Sequence, residues 1–381
     1  MKVLFIQKMA GVAGSETYYI NLLPELARRG VSVEFVCVEH PEEAAKNDAF
    51  REELKRHGVV CHTFQAHHQI PLAVLWKLRG LIAQRGFDVV QTNLIHADLW
   101  GALIKIMRLG RLTLVSAKHG YAEDYQTAHG FDPTHLKPDR FSLITWFAGL
   151  FADRIICISD GLKKLLIDGG LVKAPKTITI PYGFDFAGAP HLVDPGGARY
   201  GDPQIVVVAR LVPVKQHHLL IDCLPRLSER FPALKVLMIG DGALKDGLKE
   251  QARRLGVSER VEWLGFQRNV HDYIRDSDFL VLPSAAEGFG LVVLEAWFNH
   301  KPVVAFDVPA LNEIIENGLN GFLVPPFDQT AFEGSMERLL ADPQLAKTMG
   351  EAGFDTYGAS YSIDTMVDKT LKLYRDLVVQ C

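Results

Sequence analysis

Two glutamates eight residues apart, Glu287 and Glu295, lie in the run Pro283-Ser284-Ala285-Ala286-Glu287-Gly288-Phe289-Gly290-Leu291-Val292-Val293-Leu294-Glu295-Ala296-Trp297. An apolar strand over residues 278–282 feeds a loop holding the first carboxylate and two glycines. A helix begins near Gly290 and carries the second carboxylate. Helix starts offer unpaired N–H groups and a positive dipole end to an anion, and glycines let a phosphate approach the backbone closely. Each carboxylate can accept hydrogen bonds from a pair of hydroxyls. A ligand with both hydroxyls and phosphates, such as a nucleotide sugar, has the matching groups. An acidic helix start on a solvated surface is the plain alternative for the segment taken alone.

Other residues fit the same chemistry at the ends of other apolar runs. Ala209-Arg210-Leu211-Val212-Pro213-Val214-Lys215 places two cations five residues apart after a strand, where a planar guanidinium and a mobile ammonium could clamp a diphosphate. A pair of solvated surface charges is the competing account. Ala117-Lys118-His119-Gly120 ends another strand, and His119 could bind a hydroxyl or help move a proton; a hydrogen-bonded structural histidine is as good an explanation. Lys8-Met9-Ala10-Gly11-Val12-Ala13-Gly14-Ser15-Glu16 is a small-residue turn that could pass near a diphosphate, but it lacks Gly-x-Gly-x-x-Gly spacing. Ile239-Gly240-Asp241-Gly242 reads as a plain turn, and Trp263-Leu264-Gly265-Phe266-Gln267 as a strand exit that could face a base. His67, His68, His217 and His218 have no metal-ligand spacing and read as solvent or helix-start residues.

These residues must be positioned by a scaffold, and its outline is legible. Strand-like runs alternate with helical stretches, which implies parallel sheets wrapped by helices. Strands are expected at 2–7, 31–38, 59–64, 88–92, 112–117, 154–158 and 177–180, then at 204–209, 235–239, 260–263, 279–282 and 302–305. Helices are expected at 16–29 and 96–109, and from 329 to the end. The aperiodic, Gly- and Pro-rich stretch 182–203 predicts a linker or hinge. The expected organisation is a domain over 1–183, a linker over 184–203 and a second domain over 204–360, with a helix over 361–381 crossing back to the first. The irregular segment 121–139 is long for a connection and reads as a functional loop or lid. In such folds ligands bind beyond the carboxyl ends of strands, so closure of two domains about the linker is a further expectation.

Bulk properties exclude other classes. The 381 residues are 48% hydrophobic and 23% charged, with a net charge of −4, which gives no general attraction to nucleic acid. Residues 143–151 are too short to span a membrane and read as a packed helix. The first residues read as a strand rather than a secretory leader. Cys37, Cys61, Cys157, Cys223 and Cys381 are scattered, as expected for buried thiols in a reducing cytoplasm.

Taken together, the Glu287/Glu295 pair within Glu-Gly-Phe-Gly-Leu-x-x-Leu-Glu-Ala, with Arg210 and Lys215 upstream, resembles the retaining glycosyltransferases of family 4. The resemblance covers essentially the whole chain, including Gly11 and Gly14, His119, Ile158-Ser159 and the terminal helices. It implies an α/β chain of GT-B fold, two Rossmann-like parallel-sheet domains facing a central cleft. It implies that Glu295 holds the ribose hydroxyls and Glu287 those of the donor sugar, with backbone groups of Phe289, Gly290 and Leu291 on sugar or phosphate. Arg210 and Lys215 would neutralise the departing diphosphate, Gly14 would approach the phosphates, and His119 would line the sugar–acceptor pocket. Catalytic weight falls on Glu287, His119, Arg210 and Lys215. No metal and no cofactor is implied beyond the nucleotide-diphosphate sugar, UDP- or GDP-linked, as co-substrate.

The acceptor implied is a glycan, lipid-linked or small-molecule hydroxyl, as in surface polysaccharide biosynthesis. That leaves room for contact with the inner face of the membrane, for which Lys105, Arg108 and Arg111 are the sequence support; a solvated helix face is the simpler account of them. The chain departs from the family at Val214-Lys215-Gln216, where Glu-Lys-Gly is usual, and at Gly14, where a glycine pair is common. An epimerase or phosphorylase of the same fold, or a non-catalytic nucleotide-sugar binder, is the alternative. A nicotinamide dehydrogenase is disfavoured by the glycine spacing.

Overall fold

The computed structural model describes residues 1–9, 14–66, 72–108, 112–122, 125, 128–186, 199–267 and 269–379, the side chains of 14–17 excepted. The chain divides into two units, Met1–Ala122 with Phe131–Phe184 and Ser362–Cys381, and Glu123–Gly130 with Asp185–Tyr361.

Unit 1 is built on a parallel sheet of β1 (Lys2–Met9), β2 (Ser32–Glu39), β3 (Val60–Gln65), β4 (Val89–Asn93), β5 (Leu114–Lys118), β6 (Arg154–Cys157) and β7 (Thr177–Thr179), in the order β3-β2-β1-β4-β5-β6-β7. Val3, Leu4, Phe5 and Ile6 are all fully buried. A strand apolar on both faces must be covered on both, which places β1 at the centre of the sheet. Strand order reverses between β1 and β4, and the crevice beyond such a reversal is where this class of sheet receives ligands.

Unit 2 repeats the plan with β8 (Gln204–Val208), β9 (Lys235–Ile239), β10 (Val261–Gly265), β11 (Phe279–Leu282), β12 (Val303–Phe306) and β13 (Gly321–Val324), in the order β10-β9-β8-β11-β12-β13. Here the reversal falls between β8 and β11, whose carboxyl ends lead to Arg210 and to the loop bearing Glu287. A cavity of about 540 Å³ lies at the opposite, amino ends of these strands, lined by Asp202, Asp278, Lys301 and Leu339 among others. It is therefore distinct from the carboxyl-end loops.

The C-terminal helix, Ile363–Val379, belongs to unit 1. Arg29 pairs with Asp364 and Asp368 on it, Met366, Val367 and Tyr374 are buried, and the Tyr374 hydroxyl donates to Gln91 Oε1 at 2.5 Å. The sequence reading differs from the fold at one strand. It missed β13, a four-residue strand with a glycine at its start. The stretch read as a packed helix lies in the helix Arg140–Phe151, which buries its small residues Ser142, Thr145, Ala148 and Gly149. Its large ones are turned outward, Leu143 being 56%, Trp146 47% and Leu150 43% exposed. The expected helix is therefore present, and it packs through its small residues.

Candidate active site

The two loops after β8 and β11 are tied together before any side chain is considered. Ala285 N donates to Val214 O at 2.8 Å. That bond brings Lys215 Nζ to 2.5 Å from Glu287 Oε1, and Ser284 Oγ donates to the same carboxylate oxygen at 2.7 Å. The pair is largely shielded, with the side chains 15% and 11% exposed. An ammonium has three protons to give, so Lys215 can keep Glu287 and still reach an anion. Ser284 was not singled out from sequence, because only the turn geometry reveals that it orients Glu287.

Gln216 occupies the position where the related motif has glycine, and it takes the left-handed conformation at φ 49°, ψ 34°. Its side chain donates to Pro213 O at 2.9 Å, holding the turn that starts the helix His217–Arg230. The turn is thus retained at a conformational cost, and Gln216→Gly is expected to raise stability by up to about 1 kcal/mol in urea unfolding. His217, read as a solvent or helix-start residue, does start this helix but is buried. Neither ring nitrogen has a hydrogen-bond partner among the described residues, and burial brings its pKa down to about 4.

Gly290 caps the helix Leu291–Phe298 at φ 85°, and a β-carbon there would meet Leu311 Cδ2 at 2.5 Å. No side chain caps the helix, and of its first N–H groups that of Val293 donates to Gly290 O at 2.9 Å. Phe289 is buried beside this turn. One helical turn further, Glu295 is part-buried, and desolvation pushes its pKa up to about 7. Among the described residues its carboxylate pairs with no cation. Arg210 is exposed at the end of β8.

The turn after β9 proves to be more than a connection. Gly240 N donates to Gly265 O at 2.8 Å, Leu211 N to Asp241 O at 2.9 Å, and Leu244 N to Leu211 O at 3.0 Å. These bonds lace the Arg210–Lys215 loop onto its neighbour. Gly240, at φ 136°, lies so close to Ala209 that a β-carbon would fall 1.9 Å from its carbonyl oxygen. The spacing of Ile239-Gly240-Asp241-Gly242 could not show this, since the contact partner, Ala209, lies on the preceding strand's exit.

His119 lies in unit 1, at the end of β5. Its Nδ1 is 2.5 Å from the Tyr182 hydroxyl and its Nε2 is 2.7 Å from Asn93 Oδ1. Asn93 Nδ2 in turn donates to Gln7 Oε1 at 2.9 Å. The consistent assignment has Tyr182 donating to Nδ1 and Nε2–H donating to Asn93. Burial, aided by the Lys118 charge, lowers the ring's pKa to about 3, so it stays neutral. Both nitrogens of the neutral ring are engaged, by Tyr182 and Asn93.

Gly14 begins the helix Gly14–Arg28, and the loop before it, 10–13, lies outside the described residues, as do His67, His68 and Arg111. Lys105, one of the residues weighed for membrane contact, is paired with Asp153 at 2.5 Å. Among the described residues no cluster of three or more His, Cys, Asp or Glu side chains could hold a metal, and no helix is long and apolar enough to cross a membrane. Cys37, Cys157 and Cys223 are buried free thiols.

Two doubly wound parallel sheets, with cation and carboxylate loops at the carboxyl ends of the second, are the features of the GT-B glycosyltransferases. The chain belongs to the group-1/family-4 glycosyltransferases: residues 12–187 match the family described as Glycosyltransferase Family 4, and residues 193–356 the one described as Glycosyl transferases group 1. It is 30% identical over 303 residues to the uncharacterized glycosyltransferase MJ1178 of Methanocaldococcus jannaschii, spanning 78% of each chain. It is 25% identical over 317 residues to the UDP-Gal:alpha-D-GlcNAc-diphosphoundecaprenol alpha-1,3-galactosyltransferase of Escherichia coli, spanning 80% of this chain and 79% of that one. The fold matches that of Anabaena Alr3699/HepE in complex with UDP at a TM-score of 0.81 and 22% identity, covering 99% and 100% of the two chains. The protein is a glycosyltransferase.

Proposed function

We propose that this glycosyltransferase is retaining and metal-independent, and moves a sugar from a UDP- or GDP-linked donor to a hydroxyl of a glycan, lipid-linked or small-molecule acceptor in the cytoplasm. The observation that carries the reading is the Lys215–Glu287 pair set beside an unpaired, part-buried Glu295. In this reading Glu295 accepts the ribose hydroxyls and Glu287 those of the donor sugar. The backbone N–H groups of Phe289, Gly290 and Leu291 meet sugar or phosphate. As the bond between the anomeric carbon and the diphosphate breaks, negative charge grows on the leaving oxygen, where Arg210 and Lys215 neutralise it. The acceptor hydroxyl attacks from the same face, and its proton passes to the departing phosphate oxygen. Gly14 and the neutral His119 supply positions for phosphate and acceptor. The names of the Escherichia coli relative and of the Anabaena complexes, which state UDP-galactose for one and UDP or UDP-glucose for the other, support a uridine donor.

Glu295 provides the test. Its carboxyl, raised to about 7, is half protonated near neutrality, and the ionised form accepts two hydroxyls where the neutral acid accepts fewer. Affinity for an intact sugar nucleotide, measured by calorimetry, is expected to rise between pH 6 and pH 8. Glu295→Gln should flatten that profile and weaken binding about tenfold at pH 8, the scale of a hydrogen bond to a charged group. A flat wild-type profile with undiminished Glu295→Gln binding would contradict the assignment. Stability should move the other way. A carboxyl whose folded pKa exceeds its unfolded value makes the native state hold more protons, so its contribution to stability falls as pH rises from about 4.5 to about 7. The Glu295→Gln variant should lack that fall.

A further inference from the structure

Three basic side chains gather at the carboxyl ends of β1, β4 and β5 in unit 1 and take no part in the chemistry above. Lys8 is the penultimate residue of β1, His96 lies in the first turn of the helix Leu94–Met107 that follows β4, and Arg140 begins the helix Arg140–Phe151 that follows β5. β1, β4 and β5 are consecutive in the sheet, and β1/β4 is the point where strand order reverses. Lys8 and His96 are part-buried and Arg140 is exposed. None of the three forms an ion pair among the described residues.

Burial, and then the Arg140 charge, holds the Lys8 ammonium below its ordinary range. Burial, and then the charges of Lys8 and Arg140, brings His96 down to about 4. The three therefore lie within one another's electrostatic reach. Two described acidic groups of the same elements, Asp98 and Asp139, are committed elsewhere. Asp98 accepts from Thr92 and Ser116 through Oδ1, at 2.5 and 2.8 Å, and pairs with Lys118 through Oδ2 at 2.5 Å. Asp139 caps the Arg140–Phe151 helix by accepting from Ser142 N at 2.7 Å.

Like charges brought together at a crevice, with no ion-pairing carboxylate among the described residues, are unfavourable in the empty protein, and an anion relieves them. An ammonium, an imidazole and a guanidinium together offer donors to several oxygens at once, which suits phosphate better than a single carboxylate. We infer that Lys8, His96 and Arg140 form a site in unit 1 for a phosphate or diphosphate group carried by the sugar acceptor. The inference rests on the reading of the chain as a nucleotide-sugar transferase, which assigns the donor's own diphosphate to Arg210 and Lys215 in unit 2. The exposed apolar row Leu143, Trp146 and Leu150, on the helix that Arg140 begins, favours a phosphate borne by a lipid.

Calorimetry on the full chain tests it, with UDP and GDP present at saturation so that the donor site is filled. Farnesyl diphosphate and glucose 1-phosphate are the probes. At least one should bind the wild type, and Lys8→Met and Arg140→Gln should each weaken it tenfold or more while leaving nucleotide affinity within about twofold. Arg140 is exposed, so Arg140→Gln keeps the test valid should Lys8→Met fold poorly. Tighter binding of farnesyl diphosphate identifies a lipid-borne phosphate, and tighter glucose 1-phosphate a soluble one. Failure of both probes to bind, or equal binding by wild type and variants, overturns the inference. If neither nucleotide binds, the donor reading fails instead, and the same probes titrated alone still decide the anion site.

Discussion

Lys215→Ala is expected to lower kcat/KM roughly 10²–10³-fold, the loss seen when a preorganised partner of developing negative charge is removed. It should also destabilise the fold by about 2–3 kcal/mol, because Glu287 would remain shielded with only Ser284 to satisfy it. The two effects separate in the double variant Lys215→Met/Glu287→Gln. Neutralising both partners removes the uncompensated charge, so stability in urea should return to within about 1 kcal/mol of wild type. Turnover should not return, since neither the cation for the leaving group nor the carboxylate for the sugar is restored. Recovery of activity along with stability would show that the pair serves only to hold two loops together.

Gly240→Ala is the second large effect, and it acts at a distance from any ligand. The added methyl would lie 1.9 Å from the Ala209 carbonyl oxygen, and backbone cannot yield as a side-chain tip can. The φ of 136° is also one that alanine rarely adopts. The loop carrying Arg210 and Lys215 must therefore move, breaking the bonds that Leu211 makes to Asp241 and Leu244. The expected outcome is a loss of about 3 kcal/mol in stability and at least a tenfold loss of nucleotide affinity in the fraction that folds, measured by calorimetry below the melting temperature. Wild-type affinity in Gly240→Ala would mean that the turn after β9 does not position the cations.

What could be read from the sequence was what depends on local pattern. β1, β9 and β11 are runs of buried aliphatic residues bounded by polar ones, and their positions follow from that alone. Glu287, Glu295, Arg210 and Lys215 were found because each falls just beyond such a run. What could not be read depends on contacts between distant residues. The role of Gly240 is set by Ala209, the orientation of the His119 ring by Tyr182 and Asn93, and the burial of His217 by its packing. Gln216 shows the converse case: a departure from the family's glycine is visible in sequence, yet the turn keeps its left-handed form.

The most direct test of the central claim is release of nucleoside diphosphate from a panel of UDP-, GDP- and ADP-sugars, with EDTA present, by wild type and Lys215→Ala. The account predicts that wild type releases the diphosphate from one class of sugar nucleotide, undiminished by the chelator, and that Lys215→Ala loses at least 99% of that rate, the lower bound of the leaving-group effect. Release by neither protein across the panel, or equal release by both, would contradict it.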